Sequence, residues 1–236
     1  MRKLCNPYNL SGKKLELITK FWKEYGRYYD ADVRYNFRHH LLSAFREDDL
    51  PLLYLSIYSY LEIIPNRKDV YKWFLNYLKN THKDFLEHDI LEVGCGSVPA
   101  LTKHIATNML ELGSKGTIKG IDENLIVSEI FGAELQKESF AYNTDISSAD
   151  TIIGYAPCEA TPIALRKACR EKKELSIAVC ECLHSDGSFF TTNYDKLLNH
   201  YYRLVKREMS SDFIFDINQV PKEYNMEFPI LTLKRK

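Results

Sequence analysis

One segment limits the folds open to this chain more than any other: Asp89-Ile-Leu-Glu-Val-Gly-Cys-Gly. A short apolar strand runs directly into Gly94 and Gly96, which lack a Cβ, so the backbone can turn sharply there and a ligand can lie against it. Beyond this turn, strand and helix patterns alternate. Helices are expected over 99–112, 125–137, 162–171 and 194–206, and strands over 116–122, 140–144, 150–156 and 175–180. That is the period of βαβ units, which build a largely parallel sheet with helices on both faces. The last two strand candidates, 212–218 and 228–234, have no helix-length pattern between them and are expected to pair antiparallel as a hairpin-like edge.

Upstream of the turn the pattern is helical. Leu15, Ile18, Phe21, Trp22 and Tyr25 recur at a spacing of three to four, and Val33, Phe37, His40, Leu41 and Ala44 share a second face. The apolar run over 50–64 is too long for a typical strand; Pro51 suits its first turn and Pro65 stops it. Val70, Trp73, Phe74, Tyr77 and Leu78 mark a fourth helix. The chain therefore divides into a helical N-terminal cap subdomain, 1–85, and an α/β domain, 86–236. Aromatic residues of the cap, among them Trp22, Tyr28, Tyr35 and Phe37, could wall a substrate pocket and exclude water from it.

Lys plus Arg and Asp plus Glu number 32 each, so the formal net charge is zero. A nucleic-acid enzyme usually shows a basic surplus, so RNA is disfavoured as a partner and a small molecule is favoured. The basic N-terminus is not followed by an apolar h-region, and no stretch approaches the roughly 20 apolar residues that span a bilayer. With no membrane partner and no export signal, the six cysteines are expected to be free thiols in a reducing cytoplasm.

A nucleotide-bearing cofactor needs close backbone approach after one strand and a polar clasp for ribose after the next. Gly94 and Gly96 offer the first, with Ser97 and Pro99 opening the following helix so that free N–H groups face the ligand. Asp122 ends the second strand, where its carboxylate can accept both ribose hydroxyls, and Asp145 follows the next strand, where an adenine amino group would lie. A dinucleotide phosphate loop wants Gly or Ala in its third glycine position, and here Pro99 occupies it.

Leu91-Glu-Val-Gly-Cys-Gly-Ser, with Gly120-Ile-Asp122 downstream, resembles the glycine-rich and acidic motifs of class I S-adenosylmethionine (SAM)-dependent methyltransferases. The resemblance covers the chain from Asp89 onward. It implies a three-layer Rossmann-like methyltransferase fold, a mostly parallel sheet with an antiparallel C-terminal strand, and SAM as cofactor. It also implies a cofactor site of Glu92, Gly94, Cys95, Gly96, Asp122, Glu123, Asp145 and Ala156, with Glu92 at the methionine end, Asp122 at the ribose and Asp145 beside the adenine. A fainter likeness, in Gly96-Ser-Val-Pro-Ala-Leu-Thr102, is to nicotianamine synthases, which move the aminocarboxypropyl group of the same cofactor.

This sequence departs from the methyltransferase pattern in two places. The link from Asp145 to Asp150 is too short for a crossover helix, which keeps open a catalytically silent binding protein. No Asn-Pro-Pro-Tyr follows the fourth strand; Gly154-Tyr-Ala-Pro-Cys-Glu-Ala-Thr161 stands there instead. Methyl transfer asks the protein to align a nucleophile and take its proton. Tyr155, Glu159 and His184 are the catalytic candidates, His184 for its near-neutral reference pKa, with Glu181 and Asp186 nearby. Cys158, Cys180, Cys182 and His184 invite a zinc reading, but Cys180-x-Cys182 is too tightly spaced for the usual knuckle, and no metal is assigned.

Overall fold

The computed structural model describes residues 65–96, 99–125, 127, 129–157, 159–179, 194–219 and 229–236. The first three expected helices and His184 lie outside them, as do Ser97, Cys158, Cys180 and Cys182. The described elements are α1 (Pro65–Thr81), a 3-10 turn (Phe85–Glu87), β1 (Ile90–Val93), α2 (Ala100–Leu112), β2 (Ile118–Ile121) and β3 (Glu134–Gln136), followed by β4 (Thr151–Tyr155), α3 (Ala160–Glu171), β5 (Glu174–Ala178), α4 (Tyr194–Glu208), β6 (Phe213–Gln219) and β7 (Pro229–Arg235).

The seven strands lie in the order β3-β2-β1-β4-β5-β7-β6. β1 pairs in parallel with β2 and β4, β2 with β3, and β4 with β5. β7 runs antiparallel to both β5 and β6. The C-terminal hairpin therefore inserts its second strand inside the sheet and leaves β6 at the edge.

Strands buried on both faces read as continuous apolar runs because each face needs its own partner. Leu91, Val93, Ile121, Ile152, Leu175, Ile177, Leu231 and Leu233 meet α3 and α4 on one face, through Ala164, Leu165, Ala168, Tyr201, Leu204 and Val205. Ile90, Ile118, Ile153, Ala178 and Ile230 meet α1 and α2 on the other, through Phe74, Leu75, Leu78, Leu101, Ile105 and Met109. The three layers expected from the alternation are present. From Asp69 onward, α1 belongs to the compact unit that runs to Lys236. Its end is fixed by His82, whose Nδ1 lies 3.1 Å from Glu174 Oε2 and whose Nε2 lies 2.9 Å from Ser176 Oγ.

The structure corrects the middle of the domain. In place of the helix expected over 125–137, the described residues hold an isolated bridge between Ile130 and Ala133 and then β3. The strand expected over 140–144 is a turn: Thr144 N–H donates to Ala141 O, and Ala141 N–H donates to Thr144 Oγ1. No helix stands between β3 and β4. Phe140, Ile146 and Ala149 plug that part of the core instead.

Candidate functional site

Gly94 and Gly96 have φ of +63° and +83°, a left-handed backbone that side chains with a Cβ rarely adopt. A Cβ on Gly94 would lie 2.8 Å from Pro157 Cβ, and one on Gly154 would lie 2.9 Å from Pro157 Cγ. The Pro157 ring thus packs against two glycines and draws together the loops that follow β1 and β4. Ala156, just before it, has a φ of +57° without being glycine, and its N–H donates to Ala178 O at 2.8 Å. Such a residue costs about 1 kcal/mol or more and is kept where its surroundings hold it.

Asp122 ties the glycine turn to β2. Its Oδ2 accepts the Gly96 N–H at 2.9 Å and its Oδ1 accepts the Asn124 N–H at 2.7 Å. Each oxygen keeps a second lone pair, so the carboxylate can still accept from a ligand. Cys95 N–H donates to Ile121 O at 3.2 Å, extending the β1–β2 ladder into the turn.

Glu92 and Cys95 lie beneath this turn. Glu92 is 2% exposed, and the Thr102 hydroxyl of α2 donates to its Oε2. Burial pushes the Glu92 carboxyl up to about 7, with the Asp122 charge adding to the rise and the Thr102 hydrogen bond opposing it. Burial also pushes the Cys95 thiol well above its usual range, helped by the charges of Glu92 and Asp122, so it stays neutral and unreactive. Gly120 makes room for the cluster: a Cβ there would lie 2.8 Å from Thr102 Oγ1 and 3.1 Å from Cys95 Sγ.

A cleft of about 670 Å³ opens at the carboxyl edge, within the range of small-ligand sites. It is lined by Gly94 and Gly96 after β1, Asp122, Glu123 and Asn124 after β2, Ser139, Phe140 and Ala141 after β3, and Ala156, Pro157, Glu159 and Ile163 after β4. β1 is flanked by β2 and β4, so this is the switch in strand order where open α/β sheets bind ligands. Asp122, Glu123 and Glu159 make the lining acidic, and no Lys, Arg or His belongs to it among the described residues.

Six of the residues named from the sequence meet here: Gly94, Gly96, Asp122, Glu123, Ala156 and Glu159. Glu92 and Cys95 sit below the turn and outside the lining. Tyr155 packs edge-on against Tyr71 and Phe74 of α1, with centroids at 5.6 and 5.7 Å. Asp145 is exposed and caps its own turn, its Oδ1 accepting Ser147 N–H at 2.9 Å, which holds its carboxyl below the usual range. It is not brought to the cleft because β3 ends at Gln136, well before the strand the sequence suggested. Sequence reasoning missed Ser139, Phe140, Ala141, Asn124 and Ile163. A large apolar residue between Ser139 and Ala141 was the available signal, and it was spent on a strand.

No family model matches the sequence, and no curated protein matches it. Solved structures do. A Listeria monocytogenes protein assigned to the class I SAM-dependent methyltransferases matches with a TM-score of 0.52 at 15% identity, over 86% of this chain and 79% of that one. The antibiotic-resistance methyltransferase Kmr gives 0.43 at 12% identity, over 70% of this chain and 93% of that one. A Streptococcus mutans protein named for methyl transfer, solved with SAH, gives 0.39 at 14% identity, over 65% and 93%. Nothing in these comparisons supports the likeness to nicotianamine synthases. The first of them carries the conclusion, which concerns architecture alone: this chain has the fold of the class I SAM-dependent methyltransferases.

Proposed function

We propose that this chain is a SAM-dependent methyltransferase acting on a small molecule. The observation that carries this reading is the left-handed glycine turn, clamped through Gly96 N–H to Asp122, on one wall of the cleft at the switch in strand order. A Cβ on Gly94 would collide with Pro157, so the turn presents bare backbone, the surface a nucleotide-bearing cofactor needs.

Asp122 and Glu123 offer carboxylates to the ribose hydroxyls, and Phe140, Ala141 and Ile163 offer apolar walls to the adenine. Gly94 and Gly96 pass beneath the amino-acid end. When bound, SAM supplies an electrophilic methyl on a sulfonium. Ala156 and Pro157 face the acceptor side of the cleft, and Glu159, at the start of α3, is placed to take a proton from the acceptor nucleophile. An acidic lining repels a phosphate backbone, which together with zero net charge supports a small acceptor over RNA.

The test is an incubation of the full chain with methyl-labelled SAM and either a low-molecular-mass metabolite extract or total RNA. Label entering the metabolite fraction is expected. Label entering RNA, and not metabolites, would overturn the substrate class.

A further inference from the structure

We infer that Glu92 is a proton-linked positioning residue: its buried carboxyl, held under the glycine turn by Thr102, releases a proton when a cationic cofactor enters the cleft, and so favours the sulfonium form of the ligand over the neutral thioether. This rests on the SAM reading above and assigns a selectivity within it.

Register places Glu92 close to the cofactor clamp. Glu92 stands opposite Gly120 in the β1–β2 ladder, and Asp122 is two residues beyond Gly120, so both acids project from the same face of the sheet. That face is covered by α2, which meets Glu92 with the Thr102 hydroxyl. The titratable groups against Glu92 are Cys95 from the turn and Asp122 from β2, and the charge of Asp122 adds to the burial that lifts its carboxyl. β4 presents the uncharged Ile153, its register partner, and α1 packs Phe74, Leu75 and Leu78 onto this layer together with the phenols Tyr71 and Tyr77, which are neutral at the pH of interest. No basic group lowers its pKa among the described residues. Among the described residues the carboxyl is thus an acid without a counter-cation, one turn of backbone away from a cleft that is itself lined by Asp122, Glu123 and Glu159.

A positive charge arriving in that cleft supplies the missing counter-charge. It favours the ionised carboxylate, lowers its pKa from about 7, and releases the proton to solvent. Binding of the cation therefore strengthens as pH rises through neutrality. S-adenosylhomocysteine (SAH) carries the same amino and carboxyl groups as SAM and lacks only the sulfonium charge, so the difference between the two ligands removes the titration of the ligand itself. Glu92 does not line the cleft; it acts through the turn and Asp122, which makes it a positioning group.

Calorimetric titration of the full chain with SAM and SAH from pH 5.5 to 8.5, in two buffers of different ionisation enthalpy, reads affinity and proton release together. The expected result is SAM affinity rising with pH, by up to about thirtyfold from pH 5.5 to 8, with up to about one proton released at the acidic end. SAH should respond less. Glu92→Gln, which keeps an acceptor for Thr102, should flatten the SAM response and remove the pH dependence of the SAM to SAH ratio. Thr102→Val, which deletes the bond favouring the ionised form, should move the midpoint to higher pH and serves if Glu92→Gln does not fold. A SAM to SAH ratio independent of pH in the unaltered chain, or a dependence that survives in Glu92→Gln, overturns the inference alone. Absence of SAM binding at every pH overturns the cofactor reading and the inference with it.

Discussion

The two stretches that flank β2 solve the same problem in opposite ways. From β1 to β2 the chain uses a glycine turn and the helix α2, which closes on Gly113 at a φ of +64° and lays Leu101, Ile105 and Met109 on the sheet. From β2 to β4 no helix is found among the described residues, and the sheet is covered by separate plugs. Ile146 is 1% exposed, Ala149 5% and Phe140 7%. Two carbonyls of their loop accept from side chains reaching in: Lys167 Nζ donates to Tyr142 O at 3.1 Å, and Lys173 Nζ to Ser147 O at 2.6 Å. A sheet face needs apolar cover and its loops need hydrogen-bond partners; neither need requires a helix.

The comparison is broken most severely at the glycine turn. Gly94→Val forces a β-branched residue into a left-handed backbone against Pro157, at a cost of about 4 kcal/mol, and SAM binding should fall below detection in a calorimetric titration. On the plug side, Ile146→Ala should cost about 3 kcal/mol in chemical denaturation, as much as a core residue of a true crossover helix. A cost under 1 kcal/mol would show that the loop packs loosely and covers nothing.

Glu92 sharpens the contrast through pH. Its carboxyl is raised from 4.5 to about 7 in the folded chain, so folding loses stability as pH rises through that window. Glu92→Gln removes the loss and should stabilise the ligand-free protein by up to about 3 kcal/mol at pH 8, with little change near pH 4. The opposite ordering of midpoints would show that Glu92 is stabilised as a carboxylate. The smallest effect is expected at Asp145, on the loop side: Asp145→Asn should leave SAM affinity within about twofold, since its carboxylate accepts the Ser147 N–H within its own turn and does not line the cleft. A larger loss would mean that the loop closes over the ligand.

These predictions follow the line between what the chain makes legible and what it hides. β1, α2, β4, α3 and β5 were readable because apolar pattern and length agree in each of them, and because β1 and α2 also end on glycine. Gly94, Gly96 and Asp122 were readable for the same reason: a turn and an acid at the ends of consecutive strands have few other uses. The stretch from Asn124 to Asp150 misled because Ile126, Ile130 and Ala133 recur at three to four residues, as on a helix, while β3 is three residues long and partly exposed. A strand that short carries no alternation to detect. Thr102 was legible only as the end of the fainter likeness; its bond to Glu92 was not, because the other buried positions of its helix are apolar.

The most direct measurement is a calorimetric titration of the full chain with SAM at pH 8, with NAD as the control ligand and Gly94→Val in parallel. Saturable one-to-one binding of SAM to the unaltered chain, with none of NAD and none to the variant, is the predicted result. Binding of NAD in preference to SAM, or SAM binding that Gly94→Val leaves intact, would contradict the assignment of this cleft.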